Sequence, residues 1–129
     1  MSKKFEFFPS VNVLGGKLKP CGNDPVTGFF RDGFCNTCAE DLGSHTVCVE
    51  VSNDFLNYSK EVGNDLSTPV QLARFPGLIK GDRWCLCAGR WLEAYKEGKA
   101  PKIFLENTHI DAMKIIPREL LEEFAAQIN

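Results

Sequence analysis

The chain has 129 residues, 43% of them hydrophobic and 25% charged, which suits one globular domain (residues 1–129) burying roughly two-thirds of its unfolded surface. Its 15 lysines and arginines are scattered among 17 acidic residues, for a formal charge of -2. That leaves no basic stripe for nucleic acid and no polybasic face for a membrane. No stretch reaches the length of a transmembrane helix.

The opening, "MSKKFEFFPSVN", has a basic pair, but Glu6 and Pro9 interrupt the apolar run before signal-peptide length. It reads as a mature cytoplasmic N-terminus, with residues 1–10 as a flexible or edge segment. In the cytoplasm thiols stay reduced, which weakens a disulfide reading of the six cysteines. Six cysteines would in any case allow about 15 pairings that sequence cannot choose between.

"NVLGG" is a short strand candidate, and Leu14 to Ser44 carries turn signals with little periodicity. "HTVCVEVS" then alternates Val47, Val49 and Val51 against Thr46, Cys48 and Glu50, which is strand periodicity. "NDFLNYSKEVG" reads as a helix capped by Ser52 or Asn53 and ended by Gly63. Asn64 to Lys80 is again irregular. "GDRWCLCAGRWLEAYKEGKAP" predicts a helix from Asp82 as N-cap to Gly98, burying Trp84, Cys87, Ala88, Trp91 and Tyr95. "KIFLENT" predicts a second strand, and "PRELLEEFAAQI" a closing helix with Pro117 in its first turn and Leu120, Leu121, Phe124 and Ile128 at helical spacing. The expected class is α+β: a small sheet, about three helices and two long irregular loops. Loops this long in a compact domain are usually functional or cross-linked, so chemistry is sought there.

Cys35 and Cys38, with His45 and Cys48 after them, have the count of a zinc site. Strand alternation from His45, however, sends His45 and Cys48 to opposite faces, and a fourth ligand such as Cys21 or Cys85 would then be needed. Cys21, Cys35, Cys38 and His45 are therefore the set to hold zinc if any does, and no cofactor is expected. In a helix the sulfurs of "WCLC" diverge by about 200° and cannot clamp one ion. Cys85 would then sit in a helix first turn beside Arg83, where a thiolate is stabilised, while Cys87 packs in the core with Trp91. His45 and His109 lie at strand boundaries, where a general base is often placed. If the two strands are antiparallel, both imidazoles share one sheet edge. Arg31, Asp32, Asp65 and Arg83 are the polar groups available to bind a ligand, Arg31 or Arg83 as an anion clamp.

The strings "NVLGGKLKPCGNDPVTGFFRDGFC", "HTVC", "GNDLSTP", "FPGLIKGDRWCLCAGRW" and "APKIFLENTH" resemble the uncharacterised bacterial family known as domain of unknown function 2237, from about Asn12 to about Pro117. The resemblance implies kinship and no particular activity. It also implies that the positions of Cys21, Cys35, Cys48, Cys85 and Cys87 are typically cysteine and that of Cys38 commonly glycine, which makes the Cys35–Cys38 pair incidental.

The leading expectation is a small cytoplasmic protein with a polar Cys/His/Arg pocket for a small ligand and capacity for thiol or acid–base chemistry. Cys85 is then its nucleophile and His109 or His45 its base. The alternatives are an interaction module whose loops are cross-linked by zinc or disulfides, or a domain whose cysteines only pack.

Overall fold

The computed structural model describes residues 6–126. Three antiparallel strands form one sheet in the order β2-β1-β3: β1 is His45–Glu50, β2 Arg83–Cys87 and β3 Lys102–Ile103. Three helices accompany it, α1 over Asn53–Glu61, α2 over Ala88–Lys96 and α3 over Arg118–Glu123. This is the α+β class that the alternating apolar patterns predict.

β1 lies in the middle and is covered on both faces, with Val47, Cys48 and Val49 at 0% exposure. Ser52 caps α1, its hydroxyl accepting from Phe55 N at 3.1 Å. Gly63 (φ +90) and Gly98 (φ +73) follow α1 and α2 in left-handed conformation, as their places in the sequence predict. Trp91, fully buried on α2, donates its indole N–H to Pro101 O at 3.0 Å and stacks on Tyr95. It anchors α2 against the sheet.

The segment predicted as one long helix from Asp82 is instead a strand followed by a helix. Arg83–Cys87 pairs along β1, and α2 starts only at Ala88. The Asp82 carboxylate accepts from Ile79 N at 2.9 Å, closing a turn instead of capping a helix. Trp84, Cys85 and Leu86 are all buried, so β2 shows none of the alternation that would have marked it as a strand. "KIFLENT" is a strand for two residues, then turns through a 3₁₀ segment at Leu105–Asn107. The chain returns at the end to lie parallel against β3, Ile103 N donating to Phe124 O and Ala126 N to Ile103 O. Pro117 sits at the N-cap of α3, one residue outside it, and Ile128 lies outside the described residues.

Two disulfides hold the long loop between Leu14 and Ser44, where the expectation of a reducing cytoplasm weighed against any. Cys21 is joined to Cys48 on β1 and Cys35 to Cys85 on β2. Cys48 and Cys85 are register partners, so the two cross-links are neighbours. The loop thereby gains an anchor that its own composition does not provide.

Candidate functional site

The end of β2 and the start of β1 meet at an irregular pairing, with His45 opposite Cys87, Val47 opposite Leu86, and a register shift between His45 and Val47. This bulge has a chemical consequence. An extra residue resets the strand alternation, so His45 comes round to Cys87 although sequence parity from Cys48 places it on the other face. The His45–Cys48 parity argument therefore fails at one residue.

Cys87 is a free, half-buried thiol at the N-cap of α2, the last residue of β2. Its sulfur acts on the His45 ring and is the largest influence on that ring's protonation. The ring is also held by Asp41: His45 Nδ1 donates to Asp41 Oδ1 at 2.7 Å. The Asp41 carboxylate has no exposed surface and also accepts from Thr37 Oγ1 and from His45 N, each at 2.9 Å. Its orientation is thereby locked.

The backbone holds these three together. Ser44 is left-handed (φ 49), and its carbonyl accepts from Thr46 N at 2.8 Å and Ala88 N at 3.0 Å, pinning the turn before His45 to the first residue of α2. A Cβ on Gly43 would lie 3.1 Å from both Cys87 Sγ and His45 Cε1. A side chain there would push the sulfur or the ring aside by a few tenths of an ångström.

The Cys87 sulfur raises the pKa of His45 to about 9, burial opposing and the Asp41 carboxylate adding to the rise. With its side chain 34% exposed, the ring is protonated at neutral pH and still reachable. A groove of about 370 Å3 opens over the thiol, lined by Leu42, Gly43, Gly89, Arg90, Glu93 and Ile115.

The groups singled out in the sequence fare differently. Cys85 is in no helix first turn and carries no free thiol: it is 1% exposed on β2 and bonded to Cys35. His109 is fully buried, with Nε2–H donating to Pro9 O at 2.9 Å and Nδ1 accepting from Asp111 N at 3.0 Å. Burial holds its pKa down, and neither nitrogen is left for a substrate. The antiparallel topology does bring the two histidines to one end of the sheet, since His109 N donates to Thr46 O at 2.9 Å. They share an edge but not a site.

Arg31 and Asp65 line a second groove of about 230 Å3 with Leu66, Phe75 and Trp84, the Arg31 guanidinium 5.2 Å from the Trp84 ring. Asp65 accepts from Ser67 N, Thr68 N and both hydroxyls of its own turn, led by Thr68 Oγ1, which lowers its pKa to about 2. Asp32 accepts from Phe34 N and Asn36 Nδ2, each at 3.0 Å, inside its loop. Arg83 lies 3.8 Å above the Phe104 ring. None of these four lines the groove over Cys87 beside α2.

The set proposed for zinc is also divided. Cys21 and Cys35 lie together with Cys85, their sulfurs within 4.8 Å of one another, while His45 is engaged by Cys87 and Asp41, and Cys38 is a separate buried thiol. Asp41 and Cys87 are the two members of the triad missed in the sequence. Asp41 stands four residues ahead of His45 in an irregular loop, and Cys87 falls on the helical spacing of Trp84 and Trp91, which reads as core.

Among the described residues no helix is long and apolar enough to cross a membrane. No curated protein matches the chain. The model of a family described as uncharacterized proteins conserved in bacteria (DUF2237) matches residues 11–125, and the chain belongs to that family.

Proposed function

We propose that the protein is a thiol-dependent catalyst acting on a small acyl compound, with Cys87 as nucleophile, His45 as proton carrier and Asp41 as the group that orients it. The observation that carries this reading is the His45 ring bonded to the buried Asp41 carboxylate and paired with a free thiol at the start of a nine-residue helix. A cationic imidazole beside sulfur, at the positive end of a helix, is the setting in which thiolates are stabilised. No side chain caps α2, whose first amide is taken by Ser44 O, so the positive end of the helix lies at the thiol.

The chemistry balances without a redox partner. Sulfur attacks as the thiolate of a thiolate–imidazolium pair and bonds to the carbonyl carbon, and the leaving group departs with the proton that His45 donates. Water then attacks the thioester, neutral His45 takes its proton, the C–S bond breaks, and the acid leaves with the thiolate–imidazolium pair restored. Leu42 and Ile115 offer apolar contact at the groove, and Arg90 a charge. Small-molecule ligands fit that volume, and nucleic acid does not suit the charge balance. At 0–2% exposure the disulfide cysteines would be sheltered from cellular thiols.

A chromogenic acyl ester tests the reading. The folded chain should acquire one acyl group on Cys87, with a burst of released alcohol, and His45→Gln should slow acylation by about a hundredfold or more. Acylation at Cys38, or acylation of Cys87 at the same rate without His45, discards it. An interaction module is the second reading, supported by the cross-linked loop and by Leu72 standing fully exposed beside the Trp84 groove. A cellular phenotype that survives Cys87→Ser would favour it.

A further inference from the structure

Behind the Cys87 site, the two disulfides form a second concentration of sulfur that the proposed chemistry does not use. Cys21, Cys35, Cys48 and Cys85 are each 0–2% exposed and pack together, with Phe104 against them. Cys48 and Cys85 face each other across β1 and β2. The sulfurs of Cys21, Cys35 and Cys85 lie within 4.8 Å of one another, and Cys48 is bonded to the first of them. A tetrahedral zinc with Zn–S of about 2.3 Å places its sulfurs about 3.8 Å apart. The spacing of those three sulfurs is therefore already close to that of a thiolate ion site, and Cys48 stands one S–S bond from the first of them.

The way the sulfurs are mounted matters as much as their distance. Two stand on adjacent strands and are fixed by the sheet. The other two stand on one loop whose ends are tied to each other, Cys21 N and Gly22 N both donating to Gly33 O at 2.7 and 3.1 Å, and Gly33 N to Thr27 O. A single small outward shift of that loop separates both pairs at once and opens space between them for one ion. A Zn²⁺ with four thiolates carries a net double negative charge, and Arg83, stacked on Phe104, supplies a cation at the edge of the cluster.

We propose that, when both disulfides are reduced, Cys21, Cys35, Cys48 and Cys85 form a tetrathiolate site for a zinc-class divalent ion. Each disulfide takes two electrons and two protons from a dithiol, which leaves as its own disulfide. Zn²⁺ then displaces four thiol protons as four Zn–S bonds form. A disulfide oxidant reverses the sequence and releases the ion. This site is independent of the Cys87 chemistry.

Cobalt(II) reports the ligand set directly. The chain carrying Cys87→Ser is reduced with a phosphine, freed of reductant and titrated with Co²⁺. The expected result is one equivalent bound with the absorption of tetrahedral tetrathiolate cobalt, displaced by Zn²⁺, and none bound by the oxidised chain. Zinc at about ten times its Kd should slow alkylation of the four cysteines about tenfold. If the reduced apo chain unfolds, one equivalent of zinc should restore its circular dichroism. No cobalt spectrum, the same spectrum with Cys48→Ser, or zinc that neither protects nor refolds the reduced chain would each overturn the proposal.

Discussion

Cys85 and Cys87 stand two residues apart on β2, and their surroundings have almost nothing in common. Cys85 is 1% exposed, opposite Cys48, and spent in a covalent bond to a loop. Cys87 is half-buried at the strand's end, opposite a histidine, with its sulfur free. One strand thus carries sulfur as scaffold at its centre and sulfur as reagent at its rim. The difference comes from the partner strand: Cys48 sits inside the regular ladder, whereas His45 sits beyond the bulge, where pairing loosens and side chains reach the surface.

The largest expected contrast is in stability. In the chain-entropy account, a cross-link spanning 27 residues is worth about 3.5 kcal/mol and one spanning 50 about 4 kcal/mol, though the two spans overlap and do not add. The double substitution Cys35→Ala with Cys85→Ala should therefore cost about 3–4 kcal/mol in urea unfolding. Cys87→Ser should stay within about 1 kcal/mol. Equal costs would erase the distinction between scaffold and reagent.

The next contrast is between the two histidines at the same end of the sheet. The pKa of His45 is raised to about 9, so the stabilisation from its charged form is complete below about pH 6.5 and is lost as pH rises through 9. His109 runs the other way. Buried and held neutral, it costs stability as pH falls below about 6.5, because the unfolded chain takes up the proton first. Unfolding followed over a pH series should show His45→Gln flattening the alkaline limb and leaving the acid limb in place. A mutant that alters only the acid limb would reverse the assignment.

The smallest test sharpens the geometry at the rim. In Gly43→Ala the new methyl meets both sulfur and imidazole at 3.1 Å, so one of them must move. Alkylation of Cys87 should slow several-fold, by about 0.5–1.5 kcal/mol in barrier, with the disulfides and global stability nearly unchanged. Unaltered reactivity would mean that the His45 contact does not govern the thiol.

These contrasts also explain what could be read in the sequence. The strand at His45–Glu50, the Ser52 cap and the glycine stops follow from period and local chemistry, and those signals survive in the fold. "RWCLC" did not, because a strand buried on both faces has no alternation, and its apolar residues merge with the helical stripe that begins at Ala88. That one misreading moved Cys85 into a helix start and Cys87 into the core. His45 was a candidate base from its position alone. Asp41 and Cys87 were not legible with it, because a single-residue bulge and a left-handed Ser44 bring the three together, and neither leaves a periodic mark. Disulfide pairing is long-range by nature, and nothing local distinguishes Cys21 to Cys48 from its alternatives.

The order of the bonded cysteines along the chain has a further consequence. Cys35 lies inside the span closed by Cys21 and Cys48, and Cys48 inside the span closed by Cys35 and Cys85, so the two rings interlock in sequence. A protease cutting the backbone beside Leu42, which is 93% exposed, would produce two pieces still fastened to each other twice. A cut between Cys21 and Cys35, or between Cys48 and Cys85, leaves one fastening. The stretch that carries Asp41, Gly43 and His45 is thus the part of the chain where a nick does least to break the molecule apart, and the nicked protein would run as a single band until its sulfurs were reduced.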